Sequence, residues 1–158
     1  MAETRPQYMT PAGHTALIEE LARLGQERTR VVQGVADAAA EGDRSENAEY
    51  IYGKKRLREI DKKMRFLKKA LDAAVVVDPK ADRGDRVFFG AMVVLEDDDG
   101  ALVTYQLVGE HETDAGRGRI SYRSPVGAAL MRKNLDDEVR VQTPGGTRTL
   151  TIAEIRYE

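Results

Sequence analysis

The sequence contains no cysteine and no tryptophan, and its only histidines are His14 and His111. Without thiols, disulfides, cysteine-ligated zinc and thiol nucleophiles are excluded. The two histidines lack an acidic partner at a metal or catalytic spacing and read as structural or surface residues. Long apolar runs are missing as well. Nothing approaches the ~20 residues of a membrane span, and the N-terminus lacks the basic and apolar segments of a signal peptide. The expected address is the cytoplasm, with no membrane partner. Asp97-Asp98-Asp99-Gly100 lacks the spaced ligands and closing Glu of a calcium loop and reads as a solvated hairpin turn.

What is present is charge, unevenly placed. A net charge of −2 over 158 residues conceals two opposed regions. Residues 44–69 carry ten Lys/Arg against four Asp/Glu, and residues 78–112 carry nine Asp/Glu against three Lys/Arg. Such asymmetry suggests that one region meets a polyanion and the other stays off it.

The period of the apolar residues divides the chain in two. Residues 1–77 read as an antiparallel coiled-coil hairpin. Thr10 is the expected N-cap, with Pro11 at the first helical position. Leu17, Leu21, Leu24, Arg28, Val31, Val35 and Ala38 follow at alternating spacings of four and three. Leu57, Ile60, Met64, Leu67, Leu71 and Ala74 repeat the pattern after a short turn near Gly42. About 28 residues per helix at ~1.5 Å each predict a rod of roughly 40 Å. Arg28 occupies a seam position, where it either snorkels or marks a polar layer.

Residues 78–158 read as a small α+β domain. "RVFFGAMVVL" and "LVTYQLVG" predict strands joined through "EDDDG". "SPVGAALMRK" predicts a short helix capped by Ser124, and "EVRVQTPGGTRTLTIAEIRY" a second hairpin. Its aromatics, Phe88, Phe89, Tyr105, Tyr122 and Tyr157, fall mostly at core positions. That disfavours a prolyl-isomerase or chaperone pocket, which needs a concave aromatic lining.

With Leu57 at heptad position a, Lys55, Arg58, Lys62, Arg65 and Lys69 fall at b and f and predict one outward row of cations. Lys54, Arg56, Lys63 and Lys68 flank the seam, where pairing between helices is the ordinary explanation. A solvated face usually mixes its signs. This row holds no acid, which favours contact with a polyanion. Asp43 and Glu46, three apart at the start of the second helix, have on spacing alone the form of a helix cap with a favourable dipole partner. Their place at the hairpin tip supports another role. Two carboxylates hold magnesium poorly by themselves, but in a cavity that already binds a metal they could retain a second and orient a water.

"GDRSENAEY" at the turn, its continuation "YGKKRLREIDKKMRFLKKAL", and "TPAGHTALIEEL", "VFFGAMVVLEDDDG", "SPVGAAL" and "VQTPGG" resemble the Gre family of bacterial transcript-cleavage factors, its GreB branch in particular. The resemblance spans nearly the whole chain. It implies that the coiled coil enters the secondary channel of RNA polymerase while a C-terminal FKBP-like domain docks on the rim. The protein would then be a cofactor of another enzyme, a monomer that stimulates the polymerase's own Mg2+-dependent cleavage of the nascent RNA 3′ end in backtracked complexes. It implies that Asp43 and Glu46 are the tip acids, sharing Mg2+ with the polymerase, with Ser45 and Asn47 as neighbours of the metal and the displaced RNA. The row Lys55, Arg58, Lys62, Arg65 and Lys69 would follow RNA or the channel wall, and Arg123, Ser124 and Pro125 would lie on the docking surface. Position 123 is Arg where the family often carries an acidic or amide residue. The alternative within the same fold is a secondary-channel regulator that modulates transcription without cleavage.

Overall fold

Thr10 starts the first helix as its spacing from Pro11 predicts: its Oγ1 accepts from the Gly13 amide at 3.1 Å, and its carbonyl accepts from His14 at 3.0 Å. The computed structural model describes residues 7–41, 47–80 and 83–157. Helix α1 runs from Pro11 to Ala40 and helix α2 from Ala48 to Asp72. The chain divides into two compact units, one of residues Thr15–Ala73 and one that joins the residues up to His14 with those from Ala74 onward.

In the helical unit the two predicted seams face each other. Leu17, Leu24 and Ala38 of α1 and Gly53, Ile60 and Leu67 of α2 are buried. The intervening seam residues Leu21, Val31, Val35, Leu57, Met64 and Leu71 are half-buried. Gly53 sits at a seam position because the helices approach closely there. A Cβ on it would lie 2.6 Å from Val35 Cγ2.

The globular unit contains a two-stranded parallel sheet, β1 (Gln7–Met9) with β2 (Ala74–Val76), and a five-stranded sheet. The larger sheet comprises β3 (Met92–Glu96), β4 (Leu102–Val108), β5 (Arg119–Ser121), β6 (Glu138–Thr143) and β7 (Gly146–Arg156), in the order β5-β4-β3-β7-β6. All its pairings are antiparallel except β4 with β5, and a bulge shifts the β3–β7 register between Val94 and Leu95. Helix α3 (Pro125–Leu130) packs against β6. The core gathers Val93, Leu95, Leu107, Leu130, Val139 and Ile152. This is the α+β class expected from the sequence.

The residues flanking the helices at both ends, up to His14 and from Ala74 onward, group with the globular unit, and two expectations shift. β1 pairs with β2, Met9 is buried, and Tyr8 packs tilted on Phe89 and Tyr122 with centroids 6.0 and 5.5 Å away. Ala74, placed on the helical seam by its spacing, lies instead in β2, because α2 stops at Asp72. "RVFFGAMVVL" is a strand only from Met92. Val87, Phe89 and Ala91 keep the buried phase of an alternating strand, but the segment bonds irregularly, its start to Lys133 beyond α3 and its end to β4. The Val87 amide donates to the Lys133 carbonyl at 2.8 Å and the Gly90 amide to the Leu107 carbonyl at 2.9 Å. Gly90 adopts φ 89°, and a Cβ there would meet the Pro79 backbone at 2.8 Å. Period-2 burial reports which face is wet, not which edge is paired.

Candidate functional site

The cations of α2 fall into two groups. Two of those beside the seam, Arg56 and Lys63, are tied to α1. Arg56 donates Nε and one Nη to the two carboxylate oxygens of Glu27 at 2.7 and 2.9 Å and also reaches Glu59, and Lys63 meets Glu20 at 2.9 Å. Arg28, the charged residue on the α1 seam, donates Nε to Asp61 Oδ1 at 2.7 Å and so forms a polar layer. These bonds shift the titrations of their partners. The Arg56 hydrogen bond holds the Glu27 carboxyl below its ordinary range, and the Arg28 hydrogen bond does the same to Asp61. Lys54 and Lys68, also beside the seam, are exposed and have no acidic partner within 4.0 Å among the described residues.

The second group is the predicted row. Lys55, Arg58, Lys62, Arg65 and Lys69 are all exposed. None of them makes an ion pair among the described residues. The sequence reading missed what flanks them. Ile51, Tyr52 and Phe66 are 52%, 70% and 58% exposed, on the same helix and beside the cations. The signal was available, since Tyr52 and Phe66 stand two heptads apart at position c, off the seam. An exposed aromatic such as Tyr52, beside cations that form no ion pair among the described residues, can stack a base while the cations hold phosphates.

At the hairpin end the residues carry different kinds of information. Asp43, Ser45 and Glu46 lie outside the described residues. Asn47 is described, and it is the N-cap of α2, with φ −82° and ψ 104°. Its Oδ1 accepts from the Tyr50 amide at 3.2 Å, and its Nδ2 donates to the Ala38 carbonyl of α1 at 2.9 Å. The cap therefore differs from the one that the Asp43–Glu46 spacing suggests. Both acids precede the capping residue in sequence, so neither occupies the N-cap or the third helical position. Asn is as good a cap as Asp and stands one residue before the helix. Among the described residues no group of three or more His, Asp or Glu side chains is placed to hold a metal ion.

In the globular unit Ser124 caps α3 as predicted. Its Oγ accepts from the Gly127 amide at 3.1 Å and donates to the Ser121 carbonyl at 2.6 Å. The hydroxyl is thus engaged locally, while Pro125 beside it is exposed. Arg123 lies 3.5 Å from Glu110 and stacks over the Tyr122 ring at 5.3 Å. His111 Nε2 is 3.3 Å from Gln7 Oε1. Glu112 has a structural role no sequence spacing announces: its carboxylate accepts from the amides of Thr10 at 2.9 Å and Gly109 at 3.0 Å, and from the Thr10 hydroxyl. No helix among the described residues is long and apolar enough to cross a membrane.

A chain with two long helices, a row of exposed cations and a five-stranded α+β unit matches one family over most of its length. Residues 7–76 match the N-terminal domain of transcription elongation factors GreA/GreB and residues 81–157 the C-terminal domain. The chain is 51% identical over 155 residues to the transcription elongation factor GreB of Haemophilus influenzae, covering 98% of each. It is also 51% identical over 154 residues to the GreB of Yersinia pestis, covering 97% of this chain and 90% of that one. The crystal structure of the GreA factor homolog 1 of Thermus thermophilus aligns with 24% identity and a TM-score of 0.45, over 96% of this chain and 99% of that one. The chain belongs to the GreA/GreB family of bacterial transcription elongation factors.

Proposed function

We propose that this elongation factor acts in the cytoplasm, as a monomer, inside RNA polymerase. Its helical hairpin enters the secondary channel and stimulates the polymerase's own cleavage of backtracked nascent RNA. The observation that carries the reading is the separation of cations on α2. Arg56 and Lys63 are consumed by Glu27 and Glu20, whereas the row from Lys55 to Lys69 is exposed and has no acidic partner among the described residues. On a family member whose sequence places Asp43 and Glu46 between the helices, that row leads a polyanion toward two carboxylates.

Asp43 and Glu46 would hold Mg2+ jointly with the polymerase, since two carboxylates leave most of an octahedral shell to other ligands. The metal supplies charge stabilisation and a more acidic water at the phosphodiester. Ser45 would neighbour that metal. Arg123 and Pro125 would present the docking surface, with Ser124 shaping it through the α3 cap. The protein would be no enzyme by itself. A stalled elongation complex incubated with the protein and Mg2+ tests this reading: shortened transcripts are expected, and Asp43→Asn should lower the maximal rate by about 100-fold or more, with polymerase affinity retained. Equal cleavage by Asp43→Asn would refute the metal role. Inhibition without cleavage by the parent protein would favour the regulator reading instead.

A further inference from the structure

Asn47 does more than cap α2. The end of α1 leaves carbonyls without helical partners, and one of them belongs to Ala38, whose side chain is buried in the seam. That carbonyl accepts from Glu41 N at 3.2 Å and from Asn47 Nδ2 at 2.9 Å. On its other side the Asn47 amide oxygen accepts from Tyr50 N at 3.2 Å, while the Asn47 carbonyl takes the first helical bond, from Ile51 N at 3.0 Å. One planar amide thus satisfies an orphan donor of α2 and gives a terminal carbonyl of α1 its second hydrogen bond, bridging residues 9 apart in the chain. Asp offers the same oxygen geometry without the donor. Ser offers a cap oxygen on a side chain too short to bridge both helices.

We propose that Asn47 is a positioning residue for the cleavage activity: its Nδ2–H to the Ala38 carbonyl ties the last turn of α1 to the first turn of α2, and so sets the base from which the acids between them are presented. This rests on the reading of Asp43 and Glu46 given above. Displacing a reacting group by about 1 Å can cost on the order of 100-fold in rate, so a bond that holds both helix ends in register has kinetic consequences without touching RNA or metal.

The experiment titrates full-length Asn47→Asp and Asn47→Ser against stalled elongation complexes, reading the maximal cleavage rate, the half-saturating concentration and the melting temperature. Both variants keep a good N-cap for α2, and only Asp adds charge near the acids. The expected result is a maximal rate lowered about 10-fold or more in both, with the half-saturating concentration and melting temperature close to the parent's. A parental maximal rate in both variants overturns the proposal, as does a loss that tracks weakened binding or melting, because that marks a merely structural bond. Asp43→Asn in parallel separates the two levels. If it is inactive while the Asn47 variants are active, only the positioning role falls. If it cleaves like the parent, the role of the acids falls and the positioning role with it.

Discussion

Arg28 and Asp61, 33 residues apart in the chain, meet across the helical hairpin with Nε 2.7 Å from Oδ1 at a position where both seams are otherwise apolar. Both side chains keep contact with water, at 43% and 39% exposure, so the layer reads as a device for register rather than a source of much stability. The neighbouring Arg56–Glu27 pair is bidentate and crosses between the same two helices, fixing the same alignment.

These pairs make hairpin stability depend on pH in one direction. Glu27 and Asp61 titrate below their ordinary range because Arg56 and Arg28 hydrogen-bond their ionised forms. The unfolded chain therefore takes up protons first as pH falls. The stabilisation is present above the ordinary carboxylate range and is lost as pH drops through it toward the folded values. The helical melting temperature should be level near neutrality and fall below about pH 4.5. The double variant Glu27→Gln/Asp61→Asn should melt lower than the parent at pH 7, with the difference shrinking in acid. A difference independent of pH would mean the pairs contribute no linkage.

Gly53 invites a second test, because helix propensity and packing disagree there. Alanine is worth about 1 kcal/mol more than glycine inside a helix. A Cβ at Gly53, however, would sit 2.6 Å from Val35 Cγ2, and a β-branched residue in a helix has little rotamer freedom to retreat. Overpacking costs about 1–3 kcal/mol, so Gly53→Ala alone should be neutral to destabilising by up to about 2 kcal/mol. Adding Val35→Ala removes the obstructing methyl. A double-mutant cycle by denaturant melts should then show a favourable coupling of about 1 kcal/mol or more. Simple additivity would show that the helices separate freely at this level.

Glu112 should matter more than any surface carboxylate of the globular unit. It accepts from two backbone amides and the buried Thr10 hydroxyl, and so secures the start of α1 to the turn after β4. Glu112→Ala leaves those donors unpaired and should destabilise the globular unit by about 2–4 kcal/mol. Glu112→Gln should restore part of it, because the amide oxygen can accept from both backbone amides while the amide nitrogen donates to the Thr10 hydroxyl oxygen. Without tryptophan, the readout is the near-UV circular dichroism of Tyr8 and Tyr122, whose rings lie 5.5 Å apart. Parental stability of Glu112→Ala would show that water replaces the carboxylate at no cost.

The features legible in the sequence are those that repeat. Leu17, Leu24, Ile60 and Leu67 announce the seam through the 3-and-4 spacing, and the same register sends Lys55 through Lys69 outward. Single contacts carry no period. The Glu112 anchor depends on a partner 102 residues away, and β1 is three residues long and pairs with a strand on the far side of the hairpin. The Asn47 bridge was hidden differently. Asp43 and Glu46 already fit a capping pattern, and sequence spacing does not decide which of several good capping residues the helix uses.

The row of cations makes the last prediction. If Lys55, Arg58, Lys62, Arg65 and Lys69 each neutralise a phosphate of single-stranded RNA, counterion release gives about 0.7 per contact, so the log–log slope of affinity against salt should be no steeper than about −3.5. Lys62→Gln/Arg65→Gln should flatten that slope by about 1.4 while leaving the hairpin folded, since both residues are exposed and neither forms an ion pair among the described residues. Arg148→Gln, exposed on β7 in the other unit, is the control and should leave the slope unchanged. Fluorescence anisotropy of a labelled RNA across roughly 50–200 mM salt measures all three. A slope near zero in the parent would exclude direct contact with RNA phosphates and leave an acidic channel wall as the surface these cations meet. A steep slope that Arg148→Gln also flattens would place the RNA on the globular unit instead.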